Sequence, residues 1–324
     1  MNVDQKDKTA QSDKTALSGL LLIDKPLGPT SHDVVDDLRR ALGQKSVGHT
    51  GSLDPLASGL LVMCLGRATK ISKYITLVDK TYEAQITLGK CSKTFDAEGL
   101  NENESPGDVS TITEDIIENA LKTFIGKTNQ TVPIYSAVKV DGKKLYKSAR
   151  KGEEVVAPTR EIVINKIKLL SYVAPTLSIM VDCESGVYIR SLANDIGEAL
   201  GCGAYLSGLR RTRVGAYSVE DGMKLADIEA AGVIETIKEK VISISESLEL
   251  PSIAVSDAFA QRIEQGRTLT SSDLESIETP FEAGQEIAIR DSRGKALAVG
   301  ISLLSSDKMR ESDAEQIFKY SRVL

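Results

Sequence analysis

The chain has no tryptophan, two histidines and four cysteines in 324 residues, and each scarcity removes a class of function. With only His32 and His49, a histidine-rich metal centre is excluded and a Ser-His-Asp triad is strained for candidates. Cys64, Cys91, Cys183 and Cys202 show no metal-ligand spacing. Cys64 and Cys183 lie in apolar runs and read as small buried hydrophobes of a reducing compartment. No GxxxxGK[ST] phosphate loop is present. No apolar run approaches the ~20 residues that a membrane helix needs, and residues 1–16 lack the apolar core of a signal peptide. That segment alternates Asp and Lys with Gln, Thr and Ser, the pattern of a disordered tail. A cytoplasmic protein without a membrane partner is expected. The net charge of −6 argues against indiscriminate nucleic-acid binding, although local fields decide contact.

What is present is ordinary in bulk and unusual in one place. Hydrophobic content of 41% and charged content of 27% fit a globular protein of one large or two ordinary domains. The unusual stretch is Gly48-His49-Thr50-Gly51-Ser52-Leu53-Asp54-Pro55-Leu56-Ala57-Ser58-Gly59-Leu60-Leu61. Asp54 precedes a proline and is therefore held extended. Gly48, Gly51 and Gly59 let the backbone bend and let a partner approach. The stretch runs into an apolar strand at 60–65. From chemistry alone it is a rigid loop that presents a carboxylate, or a plain turn.

Along the chain, 17–24 reads as a strand and Lys25-Pro26-Leu27-Gly28-Pro29-Thr30-Ser31 as a turn rich in breakers. A capped helix is predicted over 32–42, with Val34, Val35, Leu38 and Leu42 inward and Gly43 as its stop. A short helix is predicted over 68–74. Residues 81–88 alternate strictly, placing Tyr82, Ala84, Ile86 and Leu88 on one face. Residues 90–108 read as a polar surface loop. Residues 113–125 form a helix with Ile116, Ile117, Leu121 and Phe124 inward. Strands are predicted over 162–170 and 177–183. The second alternation continues through 185–190, so that Tyr188 and Arg190 point together, and a helix follows from about 191 to 200. A composition shift near Leu250-Pro251 opens a small β-rich segment in which 286–290 and 295–303 are strands and Leu297, Val299, Ile301 and Leu303 share a face. Lys139, Lys143, Lys144, Lys147, Arg150 and Lys151 form one basic cluster, and Arg210, Arg211 and Arg213 another. Either is a solvated face or an RNA contact.

The Gly48–Leu61 stretch resembles the signature loop of the TruB family of tRNA pseudouridine synthases, and the Lys-Pro-x-Gly-x-Thr-Ser turn resembles that family's first motif. Tyr135-Ser136-Ala137-Val138-Lys139 through Gly152, Gly186-Val187-Tyr188-Ile189-Arg190, and Leu209-Arg210-Arg211-Thr212 resemble further family segments. Two positions depart from the pattern: Val132 stands for a proline and Val187 for the more usual threonine.

The resemblance implies an α+β fold. Its catalytic domain, 17–249, is a mixed, mainly antiparallel central sheet flanked by helices, with an RNA-gripping insertion at about 127–155. A PUA-like RNA-binding module at 250–324 follows. The resemblance also implies that Asp54 is the catalytic residue, that Arg190 pairs with it, and that Tyr82 stacks on the target base. Tyr82 reads equally as a core tyrosine, Leu209 as a core leucine, and Arg190 as a surface arginine in a weak salt bridge. His49 would occupy or prop the space the base vacates. Tyr188 and Leu209 would line the pocket, with Lys25 and Pro26 supporting the Tyr82 side. Lys139, Lys143, Lys144, Arg150, Arg210 and Arg211 would meet RNA backbone.

The expected reaction is isomerisation of uridine to pseudouridine after base flipping, with Asp54 attacking the sugar or the uracil ring. No metal and no cofactor are expected. The resemblance implies uridine 55 of the tRNA T stem-loop as target, the bacterial-type wording of the loop implies action without guide RNA, and a monomer is expected. Two other classes compete: a non-catalytic RNA-binding protein on the same scaffold, and a sugar-nucleotide hydrolase with paired carboxylates. The hydrolase fits poorly because no second carboxylate lies near Asp54 in sequence.

Overall fold

The apolar runs near the N-terminus become adjacent strands in the computed structural model, which describes residues 16–100, 107–136, 138–140, 142–150, 156–229, 233–310, 314 and 316–324. The tail expected at 1–16 lies outside the described residues as far as residue 15. Lys151 also lies outside them, as do the side chains of Lys139, Lys143, Lys144 and Arg150.

In chain order the strands begin with β1 (Gly19–Lys25), β2 (Val47–His49), β3 (Ala57–Leu65), β4 (Lys80–Leu88) and β5 (Gly126–Thr131). A separate hairpin of β6 (Lys139–Val140) and β7 (Lys143–Lys144) follows. Next come β8 (Thr159–Val173), β9 (Thr176–Cys183), β10 (Ala204–Val214), β11 (Tyr217–Ser218) and β12 (Met223–Lys224). The sheet runs β12-β1-β3-β10-β4-β9-β8-β5, with β2 on β3 and β11 on β10. Among the described strands of this sheet, only β1–β12 and β3–β10 pair in parallel. The helices used below are α1 (Ser31–Leu42), α2 (Ser72–Thr76), α3 (Glu114–Lys122), α4 (Leu145–Arg150), α5 (Ile189–Ala199) and α6 (Val233–Lys240).

Helix α1 forms as its sequence dictates. Thr30 caps it in a reciprocal box with Asp33, and Gly43 ends it in the left-handed conformation. Strands β1 and β3 are buried on both faces, which is why they read as continuous apolar runs rather than alternating ones. Leu21, Ile23, Leu61 and Met63 pack under α1 and α6. Leu20, Leu22, Leu60 and Val62 pack on the other side, against Ala296, Val299 and Leu324 of the C-terminal module. A further core lies where β4, β8 and β9 meet α3 and α5, and Tyr82, Ala84, Ile86 and Leu88 all belong to it.

The module has its own sheet, β14-β13-β15-β16-β17, from β13 (Ser252–Val255), β14 (Leu274–Ile277), β15 (Glu286–Arg290), β16 (Ala296–Ser302) and β17 (Phe318–Val323). Its core holds Phe259, Phe281 and Phe318. It is fastened to the first sheet by polar contacts as well. Lys73 of α2 and the Tyr74 hydroxyl both meet Glu286, the latter at 3.1 Å, and Lys70 donates to the Val323 carbonyl at 2.7 Å.

Five expectations need correction. The helix over 68–74 is a 3-10 turn at Gly66–Ile71 followed by α2. In α3, Ile116 is 46% exposed, because Ile117 and Leu121 already meet the sheet. The alternation of β9 stops at Cys183 in a turn, and α5 begins at Ile189, so Arg190 sits in its first turn rather than on a strand. In β16 the deeply buried residues include Ala298, Gly300 and Ser302 while Leu303 is exposed. Small residues fit there because both faces of that strand are covered, and a register shift at Val299/Gly300 breaks the alternation. Finally, the loop over 90–108 is not all surface: Ser92 and Asp96 are buried.

One glycine fixes how the signature loop enters the sheet. Gly59 has φ +101°, and a Cβ there would stand 2.2 Å from the Arg211 carbonyl oxygen of β10. Gly28 has a similar φ of +106° with open space around it. Gly28→Ala is expected to cost about 2 kcal/mol, the strain of the backbone alone. Gly59→Ala is expected to cost more than ~4 kcal/mol because β3 and β10 must part. Urea unfolding of the two variants checks this; equal losses would contradict it.

Candidate active site

The loop that carries Asp54 is tied down at several points. The Ser31 hydroxyl, at the start of α1, accepts from the Leu53 amide at 2.7 Å and donates to the Leu53 carbonyl at 3.0 Å. The Gly28 amide donates to the Pro55 carbonyl at 2.9 Å, and the Ala57 amide to the Asp54 carbonyl at 3.0 Å. Arg211, on β10, is buried. It donates through Nε to the Leu60 carbonyl at 2.7 Å and through Nη2 to the Gly51 carbonyl at 3.0 Å. The Lys-Pro-x-Gly-x-Thr-Ser turn and the Leu-Arg-Arg-Thr strand therefore both grip the loop.

The Asp54 carboxylate meets Arg190, whose Nε lies 3.2 Å from Asp54 Oδ2. Arg190 is buried, while the Asp54 side chain is 45% exposed and so open to a ligand. The remaining Arg190 donors go elsewhere: Nη1 to Asp96 Oδ2 at 3.0 Å, and Nη2 to the Tyr135 carbonyl at 3.2 Å. Asp96, 2% exposed, also accepts from the Glu98 amide at 3.0 Å and from the Thr94 hydroxyl. One guanidinium thus bridges a buried carboxylate and an open one. Charge-assisted bonds of this kind are short and directional. The segment that delivers Asp96 is held in an unusual shape, since Phe95 has φ +64°, a conformation a bulky side chain adopts only under constraint.

Asp54 opens onto a cleft of about 710 Å³, within the range of small-ligand sites. Tyr82, Tyr188, Leu209, Arg160, Lys80 and Arg211 are among its walls. Tyr82 belongs both to the core under β4 and to the cleft wall, so its place in the core does not remove it from the cleft. Burial raises its phenol above the ordinary tyrosine range, with Arg211 opposing. Leu209, paired with Ala57 and Ala84, also touches core and cleft. The Tyr188 ring lies under the Arg160 guanidinium at 4.6 Å.

Other sequence-derived candidates lie elsewhere. Lys25 is wholly buried, and its ammonium donates to the Pro26 and Pro29 carbonyls, each at 2.9 Å. Neither Lys25 nor the exposed Pro26 lines the cleft, because the lysine closes its own turn. Burial lowers the Lys25 ammonium, and the charge of Asp54 opposes that. His49 does not line the cleft either. Its Nδ1 is buried with no hydrogen-bond partner among the described residues. Burial, helped by Arg211, pushes the imidazole below its ordinary value. The expectation that Arg211 meets RNA backbone is corrected: its guanidinium faces protein carbonyls. Arg210 makes a two-pronged pair with Asp24 at 2.9 and 3.0 Å. Lys139, Lys143, Lys144 and Arg150 lie on the β6–β7 hairpin and α4, with side chains outside the described residues.

Sequence reasoning missed Asp96, Ser31, Lys80 and Arg160. Thr94-Phe95-Asp96-Ala97-Glu98-Gly99 carries the wording of an Asx turn, which signals a cap but not its depth. Nothing local distinguishes a buried aspartate from a solvated one.

Comparison with known proteins gives a consistent picture. The model of the TruB family pseudouridylate synthase N-terminal domain matches residues 39–189. That of the tRNA pseudouridylate synthase B C-terminal domain matches 190–249, and that of the PUA domain 251–324. The tRNA pseudouridine synthase B of Opitutus terrae is 44% identical over 237 residues, covering 73% of this chain and 96% of its own. That of Syntrophus aciditrophicus is 37% identical over 302 residues, covering 93% and 96%. That of Bacillus subtilis is 40% identical over 293 residues, covering 87% and 92%. Among solved structures, a Cbf5-Nop10-Gar1 complex matches with a TM-score of 0.74 at 28% identity, over 94% of this chain and 84% of that one. The expected fold, a mixed sheet with helices and a PUA module, agrees with these matches.

Lys80 gives the cleft wall a measurable signature. It is buried, donates to the Thr76 and Val78 carbonyls at 2.8 and 2.6 Å, and is lowered to about 8 by burial and by Arg211. An unfolded lysine stays protonated to about 10.5. Between about pH 8 and 10.5 the unfolded chain therefore holds the extra proton, and stability must rise with pH there. The penalty of the buried charge is present in full below about pH 8. The wild type is expected to gain stability relative to Lys80→Met between pH 7.5 and 10. Urea unfolding of both proteins across that range checks it, and a pH-independent difference would contradict it.

Proposed function

The chain belongs to the TruB family of tRNA pseudouridine synthases, and from that premise we propose that it acts on uridine 55 of the tRNA T loop, without a guide RNA and with Asp54 as the attacking carboxylate. The enzyme isomerises uridine to pseudouridine in tRNA. The bond from uracil nitrogen to ribose breaks, a bond from ring carbon to ribose forms, and a proton moves from that carbon to the nitrogen. The balance requires no oxidant and no added group.

The observation that carries the proposal is the Asp54 carboxylate, half open to the cleft and held at 3.2 Å from a buried arginine. Such a carboxylate is fixed in direction before substrate arrives, which is where positioned catalysts gain most. It serves as nucleophile toward either the anomeric carbon or the uracil ring. A base reaching it must leave its stack, at a cost of a few kcal/mol. Stacking on Tyr82 offsets that by ~1–3 kcal/mol. Tyr188 and Leu209 complete the pocket. We read the segment at about 127–155, with its lysine-rich hairpin, as the lobe that closes over RNA, and 17–249 and 250–324 as the catalytic and PUA units.

Asp96 bears on the competing hydrolase reading. It is a second carboxylate close to Asp54 in space. Paired-carboxylate hydrolysis, however, needs both groups free to face the scissile bond. Asp96 is 2% exposed and bonded to Arg190, Thr94 and Glu98. It serves as a positioning residue that turns the guanidinium toward Asp54.

Asp54→Asn is expected to abolish pseudouridine formation on tRNA while T-arm RNA still binds; site-mapped product with retained turnover would sink the proposal. Asp96→Asn leaves Asp54 in place but frees one prong of Arg190. It is expected to lower kcat by about 10²-fold with KM for tRNA nearly unchanged. A rise in KM at constant kcat would instead make Asp96 a binding residue.

A further inference from the structure

We propose that Arg160 is the phosphate clamp of the cleft: it takes the RNA phosphodiester next to the nucleotide delivered to Asp54. The inference rests on the reading that RNA is the substrate. Lys80, Arg160, Arg190 and Arg211 line the cleft. Lys80 donates to two carbonyls, Arg190 to two carboxylates and two carbonyls, and Arg211 to the loop carbonyls. Arg160 alone of these has no ion pair and no side-chain hydrogen bond among the described residues, and its Nε is buried without a partner.

Its guanidinium is nevertheless placed. It lies over the Tyr188 ring at 4.6 Å, a cation–π contact that uses the face of the guanidinium and leaves the Nη groups at its edge without a hydrogen bond among the described residues. On another side it lies against Gly186, where an added Cβ would come within 3.6 to 3.7 Å of Cζ, Nη1 and Nη2. Gly186 has φ +100°, so this close approach occurs at a turn only glycine makes easily. The frame is rigid. Arg160 lies at the start of β8 and pairs with Gln130 of β5. The Gln130 side chain accepts from the Tyr188 amide at 2.8 Å and donates to its carbonyl at 3.0 Å. The clamp is thus tied through Gln130 to the start of α5, the helix that carries Arg190.

A planar fork held by stacking, with free N–H groups facing a cleft, matches the two-pronged geometry of a phosphate. The need is electrostatic as well. A nucleotide entering beside the Asp54 carboxylate brings its own negative charge, and the other cationic groups of the wall are already bonded.

The test measures binding of a T-arm stem-loop RNA across salt concentrations in the Asp54→Asn background, where no turnover occurs. Losing one phosphate contact reduces the slope of log affinity against log salt by about 0.7 to 0.9. Arg160→Ala is expected to show that reduction and to weaken binding several-fold. Arg160→Met keeps the stem over Tyr188 but not the charge, and is expected to show the same reduced slope. Arg160→Lys is expected to restore the slope while leaving KM raised in the active enzyme, because the fork is lost. An unchanged slope in both Arg160→Ala and Arg160→Met would overturn the proposal and leave Arg160 as packing for Tyr188. Formation of pseudouridine by the wild type separates the two levels. If it occurs with unchanged slopes, only the clamp fails. If the wild type neither binds nor modifies RNA, both readings fall.

Discussion

A buried guanidinium must have its N–H groups satisfied, and Arg190 satisfies them from three separate stretches of chain. Asp54 comes from the signature loop, Asp96 and the Thr94 carbonyl from the segment after β4, and the Tyr135 carbonyl from the segment after β5. Removing one partner of a buried ion pair costs roughly 3–5 kcal/mol, because the other charge is stranded. The site is therefore cooperative: each segment is held by a residue that the others also need. Asp96 tempers the arginine as well. A lone buried cation would draw the full charge of Asp54 toward itself. Sharing it with a second carboxylate leaves Asp54 oriented while its outer face stays available.

Arg211 has a similar role beneath the loop itself. Its hydrogen bonds to Gly51 and Leu60, with the Ser31 bonds to Leu53, close the signature loop onto β3 and β10. Those strands are central and β3 is covered on both faces, by α1 on one side and the C-terminal module on the other. A carboxylate mounted on such an element moves little, since a close-packed interior yields only by local unfolding. The module thus contributes to the site from a distance, through Val299 and Leu324 packing behind Leu20 and Val62. Whatever else it contacts, it stiffens the sheet from which Asp54 projects.

Some of this is legible in residue order and some is not, for identifiable reasons. Helix α1 and strand β4 follow from local rules: a capping box, a terminal glycine and strict alternation. Asp54 and Arg190 stand out because they lie in motifs that resemble those of a known family, and Tyr82 through its position in the same resemblance. Asp96 does not, because burial is a property of what lies above a residue, and its surroundings at 90–108 are polar and rich in turn formers. Arg211 reads as an RNA contact because an arginine in a basic run looks solvated, and only its burial and its bonds to the Leu60 and Gly51 carbonyls show that it points inward. Lys25 misleads similarly. The resemblance places it beside Tyr82 at the pocket, yet it is wholly buried and closes its own turn by donating to two of its carbonyls. Polar residues that satisfy backbone groups leave no periodic trace.

The same carbonyl-bound cations bear on how an acidic protein handles RNA. Lys25, Lys80 and Arg211 carry positive charge into the ground beneath the loop, each fixed by hydrogen bonds to backbone oxygens. Their cost shows in the direction of the lysine shifts, both downward and both led by desolvation. A protein tolerates that cost where fixed charge is useful. Charges that need not reorganise when substrate binds stabilise developing negative charge better than mobile surface lysines do. The net charge of −6 sums over the whole chain and says little about the cleft. The field at Asp54 is set by a few interior cations, and the surface charge is free to discourage indiscriminate binding of nucleic acid.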